Sequence, residues 1–227
     1  MNPKQADTLL SMLPKSVQRH LKAEEFTVKY LPKSQILRQE DDTGDVFFIH
    51  YGSVRVTLYT EHGYKLSFTE IYAGQSFGEL SAIDSMPRSA NVQAIEEAYL
   101  TRIPKEYFLK LLDTQPRFSR FVMNQMCMLI RRLNSRMYEL STLDGTHRIY
   151  SELLRIANQG EQINGVCVIK NPPTHMEIAS RINSHREAVS RVYRDLKLDN
   201  ILEKRSKLLL LRDLEILKQR IENNRAN

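Results

Sequence analysis

The apolar positions along the chain change their period twice. Over residues 6–22, Leu9, Leu10, Leu13, Val17 and Leu21 recur at helical spacing and predict a short amphipathic helix that serves packing. From Phe26 to about Ile103 the runs shorten to FTVKYL, VFFIHYG, SVRVTLY, KLSFTEIY, NVQAI and AYLTRI. These are rich in β-branched and aromatic residues and broken by turns, which predicts an antiparallel sandwich or barrel. Glu61-His62-Gly63 reads as a hairpin connection, with Gly63 supplying the positive φ. From Pro116 to Asp144 a helical period returns, with Val122, Met126, Leu129, Leu133, Met137 and Leu140 rising in steps of three and four. A stripe that long needs a partner, either the chain's own β domain or a second copy. Its length of roughly four heptads favours the dimer. Arg131, Arg132 and Arg136 then fall on the flanks or a solvated face.

After Leu143-Asp144-Gly145 the pattern starts afresh, with a helix over 146–158, a strand through Val166, Val168 and Ile169, and then Pro172-Pro173. Thr174 with Glu177 forms a capping box that opens a helix over Met176 to Arg181. Asn183 suits the left-handed end of that helix, and Ser184 can cap a second one running to about Leu198. Ile201 and Leu202, the basic tip Lys204-Arg205-Ser206-Lys207 and apolar Leu208 to Leu211 read as strand, tip, strand, a wing beside a helix-turn-helix. A last helical segment runs from Asp213 to Ile221. The chain is therefore expected to be α+β: a β domain over 1–115, a dimerisation helix over 116–144, and a winged helix-turn-helix over 145–227.

Composition narrows what such a chain can do. Its 227 residues, 41% hydrophobic, suffice for a core without disulfides, and Cys127 and Cys167 are too few for a disulfide framework, an all-thiolate cluster or a four-cysteine zinc site. No metal site is expected. Lys and Arg number 33 against 27 Asp and Glu, a net +6. Residues 145–227 hold 15 basic and 10 acidic side chains, so a polyanion contact belongs to the C-terminal third. No run reaches the length of a membrane helix, and the start has no secretory core, so a cytoplasmic location without membrane contact is expected. Without a Gly-x-Gly pair, neither a dinucleotide fingerprint nor a P-loop is present.

Two constellations carry chemistry. In Phe77-Gly78-Glu79-Leu80-Ser81-Ala82-Ile83-Asp84-Ser85-Met86-Pro87-Arg88-Ser89-Ala90, Gly78 lets the backbone approach an anion and Arg88 offers a guanidinium fork. Glu79 repels free phosphate but accepts from hydroxyls, which suggests a ribose phosphate. On spacing alone, a Glu79–Arg88 salt bridge closing a surface loop is an equal reading. In the second, Ile178, Ala179, Ile182, Val189 and Val192 supply the inner face of a helix-turn-helix. Arg186, Glu187 and Arg191 project outward, where arginine can bind guanine and glutamate can accept from cytosine. Plain i, i+4 charge pairing would also give that pattern.

The first segment closely resembles the phosphate-binding cassette of cyclic-nucleotide-binding domains, F-G-E-L, a short helix, then P-R-S/A-A and V-x-A. GDVFFIHYGSVRV also looks like that family's first strands. The order of β domain, long helix and helix-turn-helix with S/x-R-E-x-V-x-R is similar to the cyclic AMP receptor protein and fumarate-nitrate regulator superfamily of bacterial transcription factors. The resemblance implies that Gly78, Glu79, Leu80 and Ser81 meet phosphate and ribose, with Glu79 on the 2′-hydroxyl, and that Arg88 and Ser89 take the cyclic phosphate. It implies DNA contacts from Thr174, His175, Ser184, His185, Arg186, Glu187, Ser190 and Arg191 on a palindromic operator, a homodimer, and RNA polymerase as a further partner. The effector so implied is cyclic AMP, bound without any covalent cofactor.

Two departures bear on that expectation. The Thr-Ser pair with which the family's dimer helix contacts adenine is replaced by Leu133-Asn134, so cyclic GMP, another anion or ligand-independent activity stays open. A small hydroxyl before Arg186 is replaced by His185, which could touch phosphate, a base edge, or serve as a cap. A nucleotide-binding protein that docks another protein is the rival of a different class. Gly74-Gln75-Ser76-Phe77-Gly78 fits G-x-S-x-G, but KLSFTEIYA alternates like a half-exposed antiparallel strand where a nucleophile elbow needs a buried parallel one. No enzymatic activity is expected.

Overall fold

A computed structural model describes residues 13–21, 26–59, 65–158 and 160–225. The expected N-terminal helix is seen as α1 (Lys15–Leu21); its proposed first half, with Leu9 and Leu10, and the Glu61-His62-Gly63 connection lie outside the described residues. Eight strands follow: β1 (Thr27–Tyr30), β2 (Gln35–Leu37), β3 (Val46–Tyr51), β4 (Ser53–Tyr59), β5 (Lys65–Tyr72), β6 (Ser76–Phe77), β7 (Asn91–Ala94) and β8 (Ala98–Ile103). They form two four-stranded antiparallel sheets, ordered β1-β8-β3-β6 and β2-β7-β4-β5. Helix α2 (Glu79–Asp84) interrupts the strands between β6 and β7, and α3 (Lys105–Thr114) follows β8.

Strand β3 shows why the run VFFI does not alternate with polar residues. Phe47 and Ile49 face the core between the sheets, with Leu37, Val54, Val92 and Leu100. Val46 and Phe48 face a second core roofed by helices, with Leu21, Phe108, Leu111, Phe118 and Val122. A strand covered on both faces reads as a continuous apolar run. Helix α3 escaped the sequence reading, although Phe108 and Leu111 at i and i+3 carry its buried face.

Helix α4 spans Pro116–Thr142, close to the length expected, but its faces differ from the expected stripe. Val122 is buried in the β domain's second core, so it is not available to a partner. With Met128 and Tyr138 exposed beside them, the apolar positions left in solvent include Met123, Ile130, Leu133, Met137 and Leu140, exposed at 57, 55, 38, 70 and 48%. With half-buried Met126 they step by three and four, so the exposed seam runs through Met123 and Ile130, not Val122 and Leu129. Helical positions one residue apart differ by about 100°, which turned the two faces into one in the sequence reading.

Two compact units share the chain, Met1–Leu129 and Ile130–Asn227, dividing within α4. The second comprises the last part of α4, α5 (Gly145–Ala157), a sheet ordered β11-β12-β10-β9, and helices α6 (His175–Arg181), α7 (Arg186–Leu198) and α8 (Leu214–Arg225). The strands are β9 (Glu161–Ile163), β10 (Val166–Lys170), β11 (Leu202–Arg205) and β12 (Leu208–Leu211); β11 and β12 form the expected wing, turning at Ser206 with φ 47°. Ile149, Leu153, Ile178, Ala179, Ile182, Val189, Val192, Leu209 and Leu211 close one core. Thr174 caps α6 in a full capping box, and Asn183 takes the left-handed turn at φ 49°. Thr174→Ala is expected to lower the stability of this unit by about 1 kcal/mol in urea unfolding; no change would mean the cap is idle. Ser184 is not the next cap: His185 holds the N-cap position of α7, and its side chain makes no capping bond.

Candidate functional site

Two groups of side chains merit the name, one in each unit. In the first, β6 ends at Phe77 and Gly78 turns the chain into α2 with φ 87°. A Cβ at Gly78 would lie 2.8 Å from the Asp45 carbonyl and 2.9 Å from Arg88 Nη1, so only glycine passes. Arg88 is 2% exposed, the largest fully buried side chain described. Its Nε donates to Thr43 Oγ1 at 2.8 Å, Nη1 to the Gly78 carbonyl at 2.9 Å and Nη2 to the Asp45 carbonyl at 2.7 Å. Two backbone bonds, Arg88 N–H to Asp41 and Glu40 N–H to Arg88, tie the same loop down.

The salt bridge that spacing allowed between Glu79 and Arg88 is not made; the arginine's three bonds go to neutral oxygens. Glu79 Oε2 is buried and has no hydrogen-bond partner among the described residues. Burial pushes the Glu79 carboxyl above its ordinary pKa, opposed by its own backbone amide and by the Arg88 charge. An acceptor buried unpaired costs stability unless something donates to it, and a ligand hydroxyl is such a donor. Arg88 uses three of its five N–H groups, leaving two for an anion. Ser81 is buried at 4%, Leu80 is 38% exposed and Ser89 is exposed. Leu133 and Asn134 stand exposed on α4, in the other unit. Thr43 and Asp45 were missed by sequence reasoning, because nothing local marks a carbonyl or hydroxyl as the seat of a distant arginine.

Ser76 belongs to β6, a two-residue strand paired antiparallel to β3 at Phe48, not to the parallel strand a nucleophile elbow requires.

In the second unit, Arg186, Glu187, Ser190, Arg191 and Arg194 line one groove of about 440 Å³ on the outer face of α7. Arg194, three residues beyond Arg191, extends the expected set, and its i, i+3 spacing was the signal that could have found it. Thr174 and His175 sit differently from a pair of outward contacts. Thr174 Oγ1 is occupied by the capping box with Glu177. His175 Nδ1 is 2.8 Å from Ser190 Oγ, and its ring lies 4.4 Å from that of Tyr193. Burial, then the charges of Lys204 and Arg186, hold His175 below its ordinary pKa. His175 thus ties α6 to α7 and half-occupies Ser190. Ser184 is half-buried, and its N–H bonds the Ala179 carbonyl at 2.9 Å; His185, Arg186, Glu187 and Arg191 are exposed.

Residues 27–115 match the family model of the cyclic nucleotide-binding domain, and residues 147–220 that of the Crp-like helix-turn-helix domain. The chain is 25% identical over 184 residues to the cAMP-activated global transcriptional regulator CRP of Haemophilus influenzae, covering 81% of this chain and 82% of the relative. Among solved structures, FixK2 from Bradyrhizobium japonicum superimposes with a TM-score of 0.74 at 18% identity, covering 85% of this chain and 95% of that one. The c-di-GMP-responsive global regulator CLP of Xanthomonas campestris does so with a TM-score of 0.71 at 22% identity, covering 87% and 98%. No helix among the described residues is long and apolar enough to cross a membrane.

Proposed function

The chain belongs to the cyclic AMP receptor protein and fumarate-nitrate regulator superfamily, the cyclic-nucleotide-binding transcription regulators, and on that premise we propose that it is a homodimer that binds a palindromic operator under control of cyclic AMP. One observation carries the DNA half of the reading: three arginines, a glutamate and a serine share one groove on the exposed face of a helix-turn-helix. That mixture suits base edges, since a purely phosphate-binding surface has no use for Glu187. The effector half is supported by the cassette, with spare N–H groups on Arg88, an unpaired acceptor on Glu79 and a glycine that lets backbone come close. A cyclic phosphodiester supplies the charge for the first and its ribose the hydroxyl for the second.

In this reading the phosphate engages Arg88 and Ser89, the ribose 2′-hydroxyl donates to Glu79, and Gly78, Leu80 and Ser81 shape the cradle. Leu133 and Asn134 are contributed by the second copy of the dimer, from which Asn134 can hydrogen-bond the base. The apolar seam from Met123 to Leu140 pairs two copies, setting α7 and its symmetry mate about 34 Å apart, one turn of DNA. Ligand binding then acts by favouring the DNA-competent arrangement of the dimer. Arg186, Glu187, Arg191 and Arg194 face the major groove; Thr174, Ser184, His185 and the wing tip lie near phosphates; His175 and Ser190 hold the helix pair. RNA polymerase is the further partner this reading requires, and the protein works in the cytoplasm.

Calorimetric titration with cyclic AMP, cyclic GMP and cyclic di-GMP, followed by footprinting with each, tests the whole. The expected result is tightest binding of cyclic AMP and an operator affinity that rises with it. Equal footprints with and without nucleotide would make the chain ligand-independent, and a partner interaction insensitive to salt would replace DNA by protein. Arg186→Ala is expected to cost about 1–3 kcal/mol of discrimination at one guanine, read from a set of single-base operator variants. Equal weakening on every sequence would make it a phosphate contact.

A further inference from the structure

Five charged side chains meet inside the DNA-reading unit, and none belongs to its outer basic groove. Glu152, on α5, is 1% exposed. Its Oε1 accepts from Arg181 at 3.2 Å, and its Oε2 from Arg136 at 3.5 Å and from Arg155, which also holds Glu139. Arg136 and Glu139 stand on the last part of α4, Arg155 on α5 and Arg181 at the end of α6. A lone carboxylate this deep would be neutralised or expelled; guanidinium groups from three helices hold its charge in place. Arg136, read from sequence as a solvated-face residue, is instead half-buried here because Glu152 draws it in.

Arg136 also makes a contact of a different kind. Its Nη1 donates to the Arg181 carbonyl at 3.0 Å. That carbonyl lies in the last turn of α6, where backbone acceptors lack an intrahelical partner. The residues that follow, Ile182, Asn183 and Ser184, are the turn that aims α7. Apolar packing alone would let one helix slide on another, whereas a planar fork engaged by a carboxylate and a carbonyl admits one geometry.

We propose that Arg136 and Glu152 are positioning residues that clamp the last part of α4 to the end of α6 and so fix the angle at which α7 meets DNA, touching neither DNA nor effector. The inference rests on the DNA-binding function proposed above. It also makes the second half of α4 and the reading head one body, so a twist of that helix arrives at α7 undiminished.

The test uses the full chain with Arg136→Ala, Arg136→Lys and Glu152→Gln. Amide hydrogen exchange is followed on the free protein, and operator affinity with cyclic AMP present. Arg136→Ala is expected to speed exchange over residues 178–184 and to weaken operator binding, each about tenfold, with exchange over residues 27–103 and nucleotide affinity unchanged. Arg136→Lys is expected to recover part of both effects, because an ammonium reaches one of the two acceptors. Exchange unchanged within about twofold in both Arg136→Ala and Glu152→Gln would overturn the clamp, and so would equal acceleration across all of residues 145–225, which marks a merely structural role. Should Glu152→Gln fail to fold, Arg136→Ala, whose side chain is 26% exposed, decides alone. A wild-type chain that bound no palindromic DNA would sink the proposed function, while the exchange comparison would still judge the clamp.

Discussion

Arg88→Ala is expected to abolish measurable nucleotide binding at micromolar protein and to destabilise the β domain as well. The two effects have separate origins. Charge-assisted hydrogen bonds from a guanidinium to a phosphate contribute about 1.5–3 kcal/mol each, so losing two reduces affinity about 10²–10⁴-fold. Removing the side chain also leaves the Gly78 and Asp45 carbonyls and Thr43 Oγ1 without the donor that now serves them. Thr43 is exposed and can turn to water, but each of the two half-buried carbonyls left unpaired costs about 1–3 kcal/mol, which puts the expected loss of stability at roughly 2–6 kcal/mol. At 2% exposure Arg88 is a strut of the loop as well as the guanidinium fork its sequence context suggests. Arg88→Lys separates the roles: it retains a charge and can reach one acceptor, so stability should recover further than nucleotide affinity. Calorimetry on the folded fraction checks this, and an Arg88→Ala variant that still binds cyclic AMP as tightly as the parent would dismantle the effector site.

Ile130→Glu is expected to dissociate the proposed dimer while leaving each chain folded. Ile130 is 55% exposed in the single chain, so a carboxylate there costs the isolated fold little. Across a two-fold seam the same change buries two carboxylates opposite each other, and a penalty near 4 kcal/mol raises the dissociation constant about 10³-fold. Met137→Glu, 70% exposed and two helical turns further on, should act alike. Val122 provides the contrast because it is buried in the β domain's second core: Val122→Ala should cost about 2 kcal/mol of fold stability and leave the dimer intact. Sedimentation of the three variants distinguishes the faces. If Val122→Ala separated the subunits and Ile130→Glu did not, the seam would be the one the bare periodicity suggested.

Along α4 hydrophobic periodicity stops being informative. Val122, Met126, Leu129, Leu133, Met137 and Leu140 form one credible stripe and Met123, Met126, Ile130, Leu133, Met137 and Leu140 another, the two sharing four residues along one helix. Hydrophobicity alone does not say which stripe meets the chain's own core. Packing of Phe118 and Val122 under α3 and β3 decides it, and the other stripe is then left exposed. The recognition helix was easier to read, because its inner face, Val189 and Val192, and its outer face, Arg186, Glu187 and Arg191, are chemically unlike.

Six of the eight strands between Thr27 and Ile103, all but the short β2 and β6, the capping box at Thr174, the left-handed Asn183, the wing and the family resemblance were legible in the chain itself, because each rests on residues close in sequence whose local chemistry has one sensible outcome. Gly78 belongs with them, since a turn that excludes a Cβ announces itself by its residue. The burial of Arg88 on the carbonyls of Gly78 and Asp45, the inward turn of His175 towards Ser190 and the gathering of Arg136, Arg155 and Arg181 around Glu152 were decided only by the tertiary structure. A charged or polar side chain looks solvated in one dimension whatever its fate. Only when distant segments converge does it become clear which charges have exchanged water for each other.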